Sequence, residues 1–225
     1  MADPLSLAPG GGYGMTSERT RRRMIDRLRE NGIRDERVLA AMYEIPRHVF
    51  VDPALSSRAY DDTSLPLGHG QTISQPWTVA RMSELLLADG RQPQKVLEIG
   101  TGCGYQTAVL ARLIREVYSV ERIGALLDRA RMNLRTVKLV TPRLVHSDGR
   151  LGLIEAAPFD SILMAAAAPA LSEELINQLA PGGRMVLPIG NEQEQYLWVV
   201  DKTAHGVNRT RYDAVKFVPL LPGKS

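Results

Sequence analysis

Two acids flank a glycine-rich turn in this chain, at a spacing suited to holding a nucleoside. Lys95-Val96-Leu97-Glu98-Ile99 runs straight into Gly100-Thr101-Gly102-Cys103-Gly104, and a helix is expected to start near Tyr105. Glycines at alternate positions let the backbone turn sharply and lie flat against a ligand, where a Cβ would intrude. The helix behind them offers free N–H groups and the positive end of its dipole. About twenty residues on, the distance typical of a ribose-binding acid, Glu116-Val117-Tyr118-Ser119-Val120-Glu121 reads as a second strand ending in a carboxylate. The bland alternatives are a glycine turn without a ligand and a surface acid at a strand end.

The spacing bears on which nucleoside. A dinucleotide fingerprint, G-x-G-x-x-G, needs its third glycine one residue later, where Tyr105 stands. Glu98, inside the strand before the turn, would repel a pyrophosphate. S-adenosyl-L-methionine carries a sulfonium and an ammonium group and no phosphate, and its own carboxylate can use the helix N-terminus. The expected cofactor is therefore S-adenosyl-L-methionine, leaving S-adenosyl-L-homocysteine as product. A dinucleotide, and with it a dehydrogenase, is the alternative on fold alone.

Such a site needs a sheet to hold it. From Lys95 the pattern alternates strand and helix, which predicts a parallel sheet with strands at 95–99, 116–121, 143–146, 159–164 and 184–188. Gln195–Asp201 and Arg211–Pro219 read as two later strands around a turn at Gly206, their place in the sheet left open. Upstream, Ser17 caps a helix over 18–31 that Gly32 ends, and Asp35 caps another over 36–44 that Pro46 stops. Arg47–Pro53 is a turn-bounded segment with Phe50 inward, Tyr60–Pro76 an irregular polar stretch, and 78–87 a helix burying Val79, Met82, Leu85 and Leu86. The expected fold class is α/β: a doubly wound, Rossmann-like methyltransferase fold with a largely parallel central sheet and an N-terminal helical portion. Its organisation is a flexible leader over 1–14, a helical and substrate-loop portion over 15–90, and a cofactor-binding core with C-terminal strands over 91–225, all in one integrated domain.

Composition narrows the class. A chain of 225 residues with 44% hydrophobic content can bury a full core. No apolar run reaches the 18 or more residues of a membrane span, and the N-terminus lacks the basic and apolar regions of a secretory signal. One cysteine, Cys103, fits a reducing compartment and excludes cysteine-clustered metal sites, so no metal is expected and the cytoplasm is the expected location. The net charge of +3 is concentrated at Arg19, Arg21, Arg22, Arg23, Arg27 and Arg29. A solvated helix face explains that cluster; without interleaved aromatics it does not argue for nucleic acid. The expectation is a monomer with neither nucleic-acid nor membrane partners.

The run Leu67-Gly68-His69-Gly70-Gln71-Thr72-Ile73-Ser74-Gln75-Pro76, ahead of Val96-Leu97-Glu98-Ile99-Gly100-Thr101-Gly102, resembles the protein-L-isoaspartate O-methyltransferase family. Val120-Glu121-Arg122, His146-Ser147-Asp148-Gly149, Ala157-Pro158-Phe159-Asp160, Leu179-Ala180-Pro181-Gly182-Gly183 and Phe217-Val218-Pro219-Leu220 add to the likeness, which runs from Met15 onward. Gln-Thr-Ile-Ser-x-Pro is the most specific of these, because general methyltransferases lack it. Cys103, where the family often has another small residue, and the segment before Met15 depart from the pattern.

The resemblance implies methyl transfer to the free carboxylate of L-isoaspartyl residues in damaged proteins and peptides, the ester then closing to a succinimide that reopens partly to aspartate. It implies Ser74 as the group orienting the acceptor carboxylate, with Thr72, Ile73 and Val218 beside it. It also implies a cofactor set of Gln71, Thr72, Glu98, Gly100, Thr101, Gly102, Glu121, Arg122, Asp148 and Gly149, with Asp148 at the adenine. A turn serine and an ordinary Asp-Gly cap are the plain readings of Ser74 and Asp148. His69 and His146 are expected to be structural or solvent-facing. A nucleic-acid amino-methyltransferase would resemble its kind in an Asn/Asp-Pro-Pro-aromatic motif, but that place reads Met164-Ala165-Ala166-Ala167-Ala168-Pro169.

Overall fold

The computed structural model describes residues 14–225, so the expected leader over 1–14 lies outside the described residues apart from Gly14. Helix α1 (Glu18–Glu30) starts where the Ser17 side chain accepts the Thr20 amide, and it buries Met24, Ile25 and Leu28. Helix α2 (Glu36–Glu44) starts on Asp35, which accepts the Arg37 amide. The arginines of α1 are largely spoken for: Arg29 pairs with Asp26 and Glu36, Arg22 with Glu18, and Arg27 donates to the Tyr60 carbonyl.

Two 3-10 segments (Arg47–Phe50 and Pro53–Arg58) lead to an antiparallel ribbon of β1 (Leu65–Gly68) and β2 (Gln71–Ile73). Sequence reading expects an irregular stretch here. The strands are only four and three residues long, and Gly68, His69 and Gly70 all turn through positive φ between them. Helix α3 (Pro76–Leu87) starts two residues earlier than expected. Pro76 is at its first turn, where a missing N–H costs nothing.

The main sheet holds β3 (Lys95–Ile99), β4 (Glu116–Glu121), β5 (Arg143–His146), β6 (Phe159–Met164), β7 (Leu179–Gly190), β8 (Gln195–Thr203) and β9 (Gly206–Val215), in the order β5-β4-β3-β6-β7-β8-β9. The first five are parallel, and β8 and β9 extend the β7 edge antiparallel. Helices α4 (Tyr105–Leu113), α5 (Gly124–Thr136) and α6 (Glu173–Asn177) complete the fold.

Alternation along β3 sends Val96 to one face, with Met82, Leu86, Leu110 and Val117, and Leu97 to the other, with Phe159, Ile162 and Met185. Both faces are therefore covered, as a parallel sheet requires. Each such buried side chain contributes about 1.5–3 kcal/mol. A third cluster joins α1, α2, the 3-10 segments and the ribbon to Tyr105, Ala108, Val109 and Leu126 of the core. Across β7 and β8 the buried Arg184 pairs with Asp201, 2.8 Å from Nε to Oδ1, and fastens the antiparallel extension.

Three strands differ from expectation, β8 by running on past Asp201 to Thr203. β7 begins at Leu179, because Pro181-Gly182-Gly183 forms an irregularity within the strand rather than a break before it. β9 occupies 206–215 rather than 211–219; its first half is an exposed edge, so no apolar alternation marks it.

Candidate active site

The chain leaves β3 for β4 and β5 on one side, then returns to place β6 on the other side of β3. Loops at the carboxyl ends of β3 and β6 part at this reversal, the place where open α/β sheets bind ligands. A cleft opens there.

The turn after β3 is its floor. Gly102 and Gly104 have φ of 54° and 89°, a region that side-chain-bearing residues rarely adopt. The Gly102 amide donates to Glu121 Oε2 at 2.9 Å, and the Ile123 amide donates to Oε1 at 2.9 Å. Glu121 is thus a nearly buried acid lining the cleft, each oxygen holding one backbone amide and keeping capacity for a further donor. Helix α4 begins at Gly104 without a side-chain cap, so the N–H groups of its first turn are not met by one.

Gly149 follows β5 and also lines the cleft; a Cβ there would come within 2.4 Å of Ile99 Cγ2. The opposite wall is Gln71, Thr72, Ile73 and Ser74 from the β1–β2 ribbon and the turn into α3. Ser74 is half-buried, and its hydroxyl makes no hydrogen bond to another described residue. Gly100, Thr101, Arg122 and Val218 complete the sequence-expected residues that share the cavity.

Two expected cofactor residues do not line it. Glu98 is fully buried behind the turn, where its Oε2 accepts the hydroxyls of Thr107 and of Ser119, the latter at 2.6 Å; Ser119 Oγ lies 2.6 Å from Thr101 Oγ1. Burial pushes the Glu98 carboxyl up to about 8, against the pull of those two hydroxyls. Burial favours its neutral form, and the side chain does not line the cleft, so the expected repulsion of a pyrophosphate by Glu98 is corrected. Asp148 accepts the Arg150 amide through Oδ1 at 2.9 Å and the Gly223 amide through Oδ2 at 2.7 Å. His69 is exposed at the ribbon turn, and His146 Nε2 lies 3.0 Å from the Arg122 carbonyl it donates to.

Sequence reading assigned no ligand-binding role to several wall residues, among them Leu67, Met82, Gln106, Ala165 and Leu221. Ala165 follows β6 directly, and the rule for ligands at strand carboxyl ends would have found it. Tyr105 also lines the cleft, wedged between Phe50, edge-on at 5.5 Å, and the buried Arg47 guanidinium, 4.9 Å from its ring centre.

A profile of the protein-L-isoaspartate(D-aspartate) O-methyltransferase (PCMT) family matches residues 19–225. The chain belongs to this family. Over 224 residues it is 66% identical to protein-L-isoaspartate O-methyltransferase of Chromobacterium violaceum, covering all of both chains. It is 60% identical to the enzyme of that name from Dechloromonas aromatica, over 94% of this chain and 98% of the relative. Among solved structures, a Plasmodium falciparum protein assigned to the PCMT family, in complex with S-adenosyl-L-homocysteine, superposes with a TM-score of 0.76 at 24% identity, over 89% of this chain and 98% of the other. At that identity the likeness speaks for the fold. As a PCMT family member the chain is an S-adenosyl-L-methionine-dependent O-methyltransferase of the isoaspartate-repair class. Among the described residues no group of acids, histidines or cysteines could hold a metal ion, and no helix is long and apolar enough to cross a membrane.

Proposed function

We propose that the cleft holds the cofactor on the Glu121 and glycine-turn side and the isoaspartyl carboxylate on the Thr72–Ser74 side. One observation carries this reading: both sets of residues wall a single cavity, so donor and acceptor can be held in line. The lining fits the nucleoside. Glu121 has acceptor capacity for two ribose hydroxyls beyond its two amides. Gly102 and Gly149 leave the backbone bare beside it, and the uncapped start of α4 suits a carboxylate. Gln71, Thr72, Gly100, Thr101 and Arg122 are the further cofactor contacts, and Glu98 supports the turn from behind through Ser119 and Thr101.

When bound, S-adenosyl-L-methionine supplies a methyl group already activated on a sulfonium. The acceptor carboxylate is ionised at neutral pH and would be ready to accept that methyl group. No proton moves, and no base is needed. Charge is destroyed in the step, and a site that excludes water favours this, provided the carboxylate keeps hydrogen bonds on leaving solvent. The Ser74 hydroxyl, uncommitted among the described residues, is the group that supplies one, with Thr72, Ile73 and Val218 fixing the acceptor chain around it.

The partners in this reading are isoaspartyl peptides and damaged proteins, met by a monomeric enzyme in the cytoplasm; the single unpaired Cys103 suits a reducing compartment. The test is transfer of labelled methyl from S-adenosyl-L-methionine to a synthetic isoaspartyl peptide, with the aspartyl peptide as control. Labelling of the first alone is expected. Equal labelling of both, or of neither, overturns the assignment.

A further inference from the structure

Arg47 is a fully buried cation with no acid paired to it. Its Nε donates to the Ala59 carbonyl at 2.8 Å, but neither Nη1 nor Nη2 meets a hydrogen-bond acceptor among the described residues. No described acid forms an ion pair with it. Asp62 attracts it only from beyond ion-pair range, and the Asp62 Oδ1 accepts the Trp77 amide at 2.8 Å. Arg21 and Arg129 add positive charge to the same corner, acting on Tyr105 and Cys103 respectively. An arginine does not shed its proton to escape this, and an isolated charge away from water is among the costliest groups a fold can hold.

The guanidinium lies over Tyr105 instead, 4.9 Å from the ring centre. The Tyr105 hydroxyl is itself buried without a partner. Burial raises it well above the ordinary phenol range, so it does not ionise to balance the arginine. Tyr105 also lines the cleft and opens α4, whose first turn carries no side-chain cap. One aromatic ring therefore separates an unpaired cation from the uncapped start of a helix.

We propose that Arg47 is a positioning residue: its charge, one ring behind the cleft wall, is the fixed counter-charge for the carboxylate end of the cofactor at the start of α4. The inference deepens the cofactor placement given above and rests on it.

An uncapped helix start attracts an anion through its N–H groups and dipole, but that attraction fades beyond the first turn. A whole charge behind it pulls in the same direction, and the ring and core between them screen it far less than water does. The same field repels an ammonium group, so it decides which branch of an amino-acid end turns towards α4. The ligand-free fold gains nothing from leaving both Nη groups bare; a neutral side chain of similar length is better tolerated in such a place. That is the pattern of a charge kept for a ligand rather than for stability.

The experiment compares two ligands by calorimetric titration. One is S-adenosyl-L-homocysteine. The other is its decarboxylated form, which keeps the thioether and the ammonium group and has hydrogen in place of the carboxylate. Failure of the wild-type chain to bind the first would sink the cofactor placement itself, whatever Arg47 does. Given binding, Arg47→Met is expected to weaken S-adenosyl-L-homocysteine about tenfold, the order of one unit-charge attraction across a protein interior. It should leave the decarboxylated ligand unchanged or tighter, because a repelling charge has gone. Arg47→Gln, also neutral, makes the same comparison if the Met variant does not fold. The ligand-free Arg47→Met chain should melt no lower than wild type. An equal loss for both ligands, or no loss for either, would overturn the proposal, since no carboxylate is then being sensed. A melting temperature lowered by several degrees would overturn it too, by showing that the guanidinium is satisfied without a ligand.

Discussion

The Glu121 carboxylate and the Gly102 amide are hydrogen-bonded at 2.9 Å, which ties the acid closing β4 to the turn that follows β3. The same side chain therefore has two tasks: it fixes the turn, and it presents acceptor capacity to the cavity. Charge-assisted hydrogen bonds to ribose hydroxyls are worth roughly 1.5–3 kcal/mol each. Glu121→Ala is expected to raise the S-adenosyl-L-methionine dissociation constant at least about tenfold, with the fold retained by circular dichroism. An unchanged constant in calorimetry would mean the ribose lies elsewhere.

Gly102 fails differently. An added Cβ would find Leu67 Cδ1 at an ordinary 3.6 Å, so space at the Cβ is not the obstacle; the φ of 54° is. A β-branched residue tolerates that region poorly, at a cost of order 1–3 kcal/mol. Gly102→Val should therefore reshape the turn and abolish S-adenosyl-L-homocysteine binding. Normal binding by a folded variant would move the cofactor away from this loop.

Ser74→Ala tests positioning against proton transfer. Loss of one orienting hydrogen bond at the reacting atom should lower kcat for isoaspartyl peptides about tenfold to a thousandfold, with cofactor affinity little changed. The wild-type kcat profile should be flat across neutral pH and fall only in acid, as the acceptor carboxylate protonates. A rise through a pKa near 7 would point to a histidine base, with His69 the first to replace.

Glu98 makes a prediction about stability. Its folded pKa of about 8 lies above the ordinary 4.5, so the folded chain binds this proton more tightly than the unfolded chain does. Stability from this group is thus fully present below about 4.5, declines as pH rises through the interval, and levels off above about 8. Glu98→Gln keeps the shape and removes the titration. The variant should gain thermal stability relative to wild type at pH 8, by an amount on the order of a few kcal/mol, and the gain should shrink towards pH 5. A difference that does not vary with pH would show that Glu98 stays ionised in the fold.

The parts of this fold legible in the sequence were those where one local rule acts alone. β3, β4, β5 and β6 are short apolar runs between turn signals, and their bounds follow from composition. The glycine turn and the acid of β4 announce themselves by spacing. What was hidden needs partners distant in the chain. β6 lies beside β3 with two strands between them in sequence, so the reversal that opens the cleft has no local mark. Asp148 looks like an Asp-Gly cap, which it is for Arg150, while its second oxygen serves an amide far along the chain. Glu98 reads as a charged acid, and only the packing around it shows that burial favours its neutral form. The ribbon escaped notice because three consecutive positive-φ residues leave too little strand on either side for a period to show.

That ribbon makes the two walls mechanically unequal. The nucleoside wall hangs from a seven-stranded sheet, whereas the acceptor wall is two strands of four and three residues paired only with each other. A small cofactor has one shape and is served by stiffness. Damaged polypeptides have many, and a surface that yields could mould itself to different flanking side chains while Ser74 kept the single task proposed for it. On the proposed placement, tolerance of sequence around the damaged residue is expected to come from this ribbon rather than from any recognition pocket. Amide exchange should accordingly be much faster at Gln71–Ile73 than at Lys95–Ile99, and stiffening the turn at Gly70 should narrow the range of peptides accepted before it lowers the rate on the best of them.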